Sequence, residues 1–272
     1  MSAVNIDAVA AIIAEVAARE IQPRFRNLLA HEMREKGPGD VVTIADEQAE
    51  LALTPLLMDQ VPGSIVIGEE AVAKQPDIIK KLIHGQLAWL VDPVDGTANF
   101  ADGKSDFCSM VALVRGDELL ASWIHLPVTG ETAMAEQGGG ASFAGRKLPK
   151  LTATAGTPSG VVGVGKFSKP ELHPRAEALR RQVRQVKSLR CAGLDYLRLA
   201  QGEMDFTLFG RAWPWDHAPG ALLVREVGGT VGGPDGAGYR PSIAIAAPGV
   251  LAARNEEVWR QVLKHLQIAP QG

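Results

Sequence analysis

Ile6, Val9, Ala10, Ile13, Val16, Ala17 and Ile21 recur at three- and four-residue steps. That is the spacing of one buried helical face, so the chain is predicted to open on an amphipathic helix. Pro23 ends or bends it, because proline has no amide with which to continue the helical ladder. Lys36-Gly37-Pro38-Gly39-Asp40 is loop chemistry. Residues 41–44 form a short β-branched run, and 45–58 return to helical spacing around an interior Pro55 that weakens or kinks the helix. Residues 64–68 read as a strand with Glu69 and Glu70 just beyond its tip, and a helix over 77–82 is expected to follow.

Residues 87–91 read as a second buried strand, with Asp92-Pro93-Val94-Asp95-Gly96-Thr97 as the turn that leaves it. Strand-like pieces at 109–115, 118–125 and 132–136 come next, separated by turn signals such as Arg115-Gly116-Asp117 and Gly138-Gly139-Gly140. This rhythm predicts an antiparallel meander. The mixture of Thr, Ala, Gly and Pro over 148–159 marks a boundary between two lobes, 1–150 and 151–272. Beyond it the pattern predicts strands at 160–165, 205–209 and 243–246 and helices at 171–186, 194–201, 216–227 and 256–266. Such alternation implies a largely parallel second sheet. The fold class expected is α/β, an α+β N-terminal lobe joined to an α/β C-terminal lobe in a layered α-β-α-β-α sandwich.

Composition narrows the function classes. The 272 residues are 46% hydrophobic and 22% charged, with a net charge of −3, which fits a globular chain with a substantial core and excludes disordered or fibrous classes. Slight acidity without a basic tract argues against a nucleic-acid or membrane-surface partner. Cys108 and Cys191 are too few for a disulfide scaffold or a cysteine-built zinc site. No apolar run approaches the roughly 20 residues of a membrane span. Asp7, Glu15, Arg19 and Glu20 interrupt the N-terminal apolar spacing in a way a secretory signal would not tolerate. A cytoplasmic location is the expectation.

Candidate chemistry concentrates at Asp92-Pro93-Val94-Asp95-Gly96-Thr97. Two carboxylates leaving a strand tip point into the crevice where open α/β sheets bind ligands. They repel one another unless a cation neutralises them, and oxygen-only ligands suit Mg²⁺ rather than zinc. Gly96 permits close backbone approach, and the Gly96 and Thr97 amides would donate to a phosphate if they open a helix. Taken alone, the stretch also fits an ordinary surface turn. Two further sites share its form: Gly68-Glu69-Glu70 after another apolar strand, and Trp215-Asp216-His217 at a helix start, where an acid is also a normal N-cap.

With these pieces in place, the chain resembles the inositol monophosphatase family, lithium-sensitive Mg²⁺-dependent phosphatases. The matching stretches are Asp40-Val41-Val42-Thr43-Ile44-Ala45-Asp46, Gly68-Glu69-Glu70, the nine residues Asp92 to Phe100, Trp215-Asp216 and Gly228-Gly229, in family order along nearly the whole chain. The resemblance implies that Glu69, Asp92 and the Val94 carbonyl hold one Mg²⁺. It gives Asp92, Asp95 and Asp216 to a second, with Glu69 helping a weaker third. It implies that Asp46 and Thr97 orient and deprotonate a water, that Gly96 and Thr97 amides bind phosphate, and that the chain is a homodimer acting on a small phosphate ester.

Three positions depart from the family. An acid that binds sugar hydroxyls in inositol-preferring members is here Phe209. Arg190 stands for a small residue and could meet a second anionic group, or else face solvent or pair with Asp195. His217 follows the last metal aspartate, in a packing or capping role or as a partner of the ligands. Histidinol phosphate, fructose 1,6-bisphosphate and 3′-phosphoadenosine 5′-phosphate are therefore alternative substrates, and a non-catalytic regulatory or scaffold homologue is the alternative of another class. Gly160 to Lys166 has phosphate-loop spacing, but Phe167 replaces the Ser or Thr that would ligate Mg²⁺, so this stretch is read as a strand.

Overall fold

The computed structural model describes residues 4–37, 40–152 and 156–267, and the statements below concern these residues. Helix α1 spans Ile6–Val16, capped by the Asn5 side chain, which accepts from the Ala8 amide at 3.0 Å. It runs on through a wide turn at Ala17–Ile21 and stops in a tight turn containing Pro23. Strands β1 (Met33–Gly37) and β2 (Asp40–Thr43) form an antiparallel pair. Pro38 and Gly39 of the expected loop lie outside the described residues. Helix α2 (Ile44–Gln60) begins at a capping box in which Thr43 and Asp46 satisfy each other's backbone groups. Pro55 lies within it.

Strand β3 (Ile65–Gly68) leads into α3 (Glu69–Lys74). The helix expected over 77–82 is instead a 3₁₀ run, Pro76–His84, closed by left-handed Gly85. Then come β4 (Leu87–Asp95), the single-turn α4 (Thr97–Ala101), β5 (Cys108–Arg115), β6 (Glu118–Leu126), β7 (Glu131–Glu136), β8 (Gly140–Phe143) and β9 (Arg146–Lys147). The seven strands β3 to β9 lie side by side in chain order, antiparallel throughout except for the parallel β3–β4 pair. The meander read from the sequence is thus present.

The remaining elements are β10 (Ser159–Gly163), α5 (Leu172–Arg180), β11 (Arg184–Gln185), α6 (Ala192–Ala200), β12 (Phe206–Phe209), α7 (Pro214–Glu226), β13 (Thr230–Gly232), β14 (Val250–Ala253) and α8 (Glu256–Gln267). Three expectations fail here. The basic helix stops at Arg180 because the Arg184 and Val186 amides bond to Pro158 and Gly160 carbonyls, so the sheet edge takes this stretch. The strand expected at 243–246 is a 3₁₀ turn led by Pro241, with Ile243 and Ile245 exposed. An apolar run without two buried faces has no reason to pair. Finally, the second sheet, β11-β10-β12-β14-β13, is mixed rather than parallel: β14 runs antiparallel to both neighbours. No helix crosses over between β13 and β14, which is what parallel pairing would require.

The layers are α1 and α2, the seven-stranded sheet, α6 and α7, the five-stranded sheet, then α5 and α8. Alternation along the central strands fills both sides of the larger sheet. Trp89, Val91, Val111, Leu113 and Trp123 pack with Val9, Ile13, Leu53 and Leu57 of α1 and α2. Ala88, Leu90, Met110, Ala112 and Ile124 pack with Tyr196 and Leu223 of α6 and α7. A third core of Leu172, Leu208, Leu251 and Val262 joins the smaller sheet to α5 and α8. The layered α/β sandwich expected from the sequence is the architecture observed.

Candidate active site: carboxylates gathered at the end of the central strand

The motif read as a turn is mostly strand. Strand β4 continues to Asp95, but three residue steps, Asp92 to Asp95, oppose only two on β5, Met110 to Cys108. This is a β-bulge, held by the Ser109 hydroxyl donating to the Pro93 carbonyl at 2.7 Å. In a regular strand, residues three apart point to opposite faces. The extra residue reverses that parity. Val91 and Val94 both enter the core under α1 and α2, and Asp92 and Asp95 are thereby turned to the other side.

Gly96 then adopts φ 88°, and a Cβ there would lie 2.8 Å from the Asp106 carbonyl, so only glycine fits this corner. It is the N-cap of α4, so Thr97 does open a helical turn. Asn99 donates to the Asp106 and Leu189 carbonyls at 2.7 and 2.8 Å, tying α4 to the loop before α6. Glu69 is the first residue of α3, and Asp216 sits in the first turn of α7, behind Pro214. Across these separate elements, Glu69, Asp92 and Asp216 each place a carboxylate oxygen within 4.8 Å of the others.

A cavity of about 750 Å³ opens over them, lined by Glu69, Asp92, Val94, Asp95, Gly96, Thr97 and Asp216. Asp46 stands directly behind Thr97. Its Oδ2 accepts from the Thr43 amide at 2.9 Å and hydroxyl at 2.5 Å, while Oδ1 faces Thr97 Oγ1 at 3.2 Å. Thr97 Oγ1 also lies 2.9 Å from the Val94 carbonyl. Asp95 Oδ2 accepts from the Gly193 amide at 2.7 Å and from the Cys191 thiol at 3.0 Å.

Burial raises the pKa of Asp46 to about 7, against its bonds to Thr43 and with help from the negative charge of Glu69. Burial likewise lifts Asp95 to about 6, despite stabilising bonds from Cys191 and Gly193. Asp92 and Asp216 are held well above the carboxylate range, first by burial and then by repulsion from Glu69 and the other acids. Converging acids that destabilise one another in a cleft mark a functional site. Oxygen-only donors so arranged fit a hard divalent cation.

Several contributors were not legible in the sequence. Lys36 on β1, read as loop, sets its ammonium 2.6 Å from Glu69 Oε1 and 2.8 Å from Glu70 Oε1. Burial works against that ammonium, but attraction from the two glutamates outweighs it and raises its pKa. Glu50, inside α2, accepts from the Glu70 and Ala71 amides at 2.8 and 2.7 Å, fixing the start of α3 and hence Glu69. A Cβ on Gly68 would sit 2.2 Å from that carboxylate. Glu50→Ala leaves the buried Glu70 amide and the half-buried Ala71 amide without this partner and is expected to cost about 2–3 kcal/mol, read by urea denaturation. Arg211, Trp213 and Trp215 complete the rim, the two indoles stacked with centroids 5.4 Å apart.

The two tentative substrate residues fare differently. Arg190 is exposed, left-handed at φ 58°, and does not line the cavity. Nor does it pair with Asp195, which is taken by Ser188 at 2.7 Å and Arg198 at 3.3 Å. Phe209 lines an adjoining hollow that shares Arg211 and Asp216 with the main cavity, and stacks against Tyr196 and His217. His217 is buried, with Nδ1 3.1 Å from the Tyr196 hydroxyl, and burial depresses its pKa to about 3. It is a neutral packing residue.

A profile described as "Inositol monophosphatase family" matches residues 2–271. The chain belongs to the inositol monophosphatase family. It is 32% identical over 253 residues to inositol-1-monophosphatase of Mesorhizobium japonicum, covering 91% of each chain. It is 29% identical over 204 residues to a Thermotoga maritima protein named fructose-1,6-bisphosphatase/inositol-1-monophosphatase, covering 73% of each. The extragenic suppressor protein suhB of Bartonella henselae superposes with a TM-score of 0.77 at 26% identity, over 97% of both chains. An inositol monophosphatase from Zymomonas mobilis shares the fold, with a TM-score of 0.79 at 22% identity over 98% of this chain and all of that one. Membership places the chain among the phosphoric monoester hydrolases. No described helix is long and apolar enough to cross a membrane.

Proposed function

We propose that this inositol monophosphatase family member hydrolyses a small phosphate monoester that carries a second anionic group, using Mg²⁺ held by the carboxylates. The observation that carries this reading is the convergence of Glu69, Asp92 and Asp216 oxygens within 4.8 Å from three separate elements. Glu69, Asp92 and the Val94 carbonyl would hold one ion, and Asp92, Asp95 and Asp216 a second, with Glu69 also placed for a third. The ions, when bound, supply neutralisation of the phosphoryl oxygens and acidification of a water. The chain's own groups do the rest. Gly96 and Thr97 amides at the start of α4 would orient the phosphate. Thr97 Oγ1 would take the water's proton while passing its own to Asp46 Oδ1. Asp46 Oδ2 stays bound to Thr43, so this carboxylate is aimed before substrate arrives. The two lobes, 1–150 and 151–272 in chain order, would supply opposite walls of the site.

Thr97→Ala removes the proton relay and leaves the ion-binding carboxylates in place. It is expected to lower kcat by roughly 10²–10⁴-fold with little change in KM. A KM-only effect would remove Thr97 from the chemistry.

Substrate preference rests on the rim. Phe209 cannot accept a hydroxyl proton, Arg190 is outside the cavity, and Arg34, Lys36 and Lys74 of its lining are paired with Glu47, Glu69 and Glu70, so Arg211 is the group placed to meet a second anion. Arg211→Ala is expected to raise KM for fructose 1,6-bisphosphate or 3′-phosphoadenosine 5′-phosphate by about tenfold, the scale of one charge-assisted bond. Inositol 1-phosphate and histidinol phosphate should change less. A panel of these four esters compared by kcat/KM at saturating Mg²⁺ ranks them. Equal effects across the panel would discard the second-anion preference. The existence of a relative named for both fructose-1,6-bisphosphatase and inositol-1-monophosphatase supports testing the bisphosphate first.

A further inference from the structure

Asp95 belongs to a second cluster as well as to the ring of acids. Its Oδ2 lies 3.0 Å from Cys191 Sγ and 3.7 Å from Cys108 Sγ, and the two sulfurs are 3.5 Å apart. Both thiols are free and buried. They reach Asp95 from separate elements: Cys108 opens β5 directly across from Asp95, and Cys191 is the N-cap of α6. The main-chain carbonyl of Asp95 lies 3.5 Å from Cys191 Sγ, so a fourth donor atom borders the cluster.

This donor set differs in kind from the oxygen-only ring beside it. Thiolates select soft cations, whereas carboxylates and carbonyls suit Mg²⁺. A tetrahedral ion with bonds of about 2.3 Å to sulfur and about 2.1 Å to oxygen has edges of about 3.6–3.8 Å. The sulfur–sulfur and Cys108–Asp95 separations already fall within about 0.3 Å of those edges, and only the Cys191–Asp95 contact must open, by about 0.6 Å. Few side-chain movements are therefore needed to turn a hydrogen-bonded triad into a coordination site.

We propose that Asp95, Cys108 and Cys191 bind a thiophilic divalent cation of the zinc or cadmium class, and that its binding inhibits the enzyme by withdrawing Asp95. Each thiol loses its proton as the bond forms: two S–H groups and one M²⁺ give two M–S bonds and two H⁺, with no change of oxidation state. Asp95 lines the main cavity, which is the way in for the ion. The binding stands on the thiol geometry alone, and the inhibition rests on the reading of Asp95 given above.

The test uses the full chain, stripped with a chelator and kept reduced with a phosphine, titrated with Cd²⁺ alone. One equivalent is expected to develop the ultraviolet charge-transfer band of cadmium thiolate. Cys108→Ser and Cys191→Ser should each weaken that titration by at least about tenfold, the loss of one of two soft ligands. Loaded wild type, diluted into Mg²⁺, should lose most of its phosphatase activity and recover it when a dithiol removes the cadmium. Absence of the band in wild type, or its persistence in both serine variants, overturns the site. A full band with undiminished turnover overturns the inhibition while leaving the site. Inactivity of the unloaded protein toward every ester would count against the proposed function, and the band would still report on the cation.

Discussion

Asp92→Asn is expected to lower kcat by about 10³-fold or more at saturating Mg²⁺ and, in the metal-free protein at pH 8, to raise the thermal midpoint. Asp92 is shared by both proposed ion sites, and losing several kcal/mol of electrostatic stabilisation at about 1.4 kcal/mol per tenfold gives that rate loss. The opposite effect on stability has the same origin. Asp92 is buried, its pKa is held far above the carboxylate range by burial and by repulsion from Glu69, Asp216, Asp95 and Asp46, and asparagine removes that charge. The amide oxygen can still accept the Val94 N–H, now at 3.0 Å, so the bulge should survive. Steady-state kinetics and calorimetry on one preparation check both halves. Turnover within tenfold of wild type would dismiss the ion-sharing role.

The same electrostatics sets a pH dependence. Acids with raised folded pKa values bind more protons in the native state than in the unfolded chain, so stability falls as pH climbs from the unfolded value near 4 through the folded ones. The folded values are about 6 for Asp95 and about 7 for Asp46, with Asp92 and Asp216 well above the ordinary range. Glu20, Glu47 and Asp117 shift the other way, and their gain is complete by about pH 5. Without divalent cation, the thermal midpoint should therefore drop between pH 5 and 8. A three-unit shift is worth about 4 kcal/mol, and each kcal/mol moves the midpoint about 2–4 °C at this size, so the drop is on the order of 10 °C. Lys36, charged in both states throughout this window, contributes equally at both ends of it. Millimolar Mg²⁺ should abolish the fall, because bound cations favour the ionised acids. A midpoint that stays level or rises over this window in chelator would mean that burial and mutual repulsion do not lift these acids above the ordinary range.

How much of this was readable beforehand varies by element. The meander was visible because β4, β5 and β6 alternate between two buried faces, a period of two that survives in the sequence. The second sheet was misjudged because β13 and β14 are three and four residues long, too short to show a period, while Ile243 and Ile245 imitate a strand. Acids at element ends announced themselves through their Gly and Pro neighbours. Lys36, Glu50 and the thiols did not, since their importance comes from what the fold brings to them. Arg190 drew attention by charge and position in chain order, yet the loop that carries it faces solvent, and Arg211 occupies the rim instead.

The bulge in β4 has a consequence for how this protein can change. Substituting Pro93 or Val94 alters packing locally, and removing one of them would restore regular pairing with β5 while leaving Asp92 and Asp95 two steps apart on one face; ironing out the bulge with the spacing of three kept is what would swing Asp95 through the sheet, away from its companions. The shared facing of the two acids, set by spacing and bulge together rather than by the identity of what lies between them, is the quantity this stretch of chain must preserve.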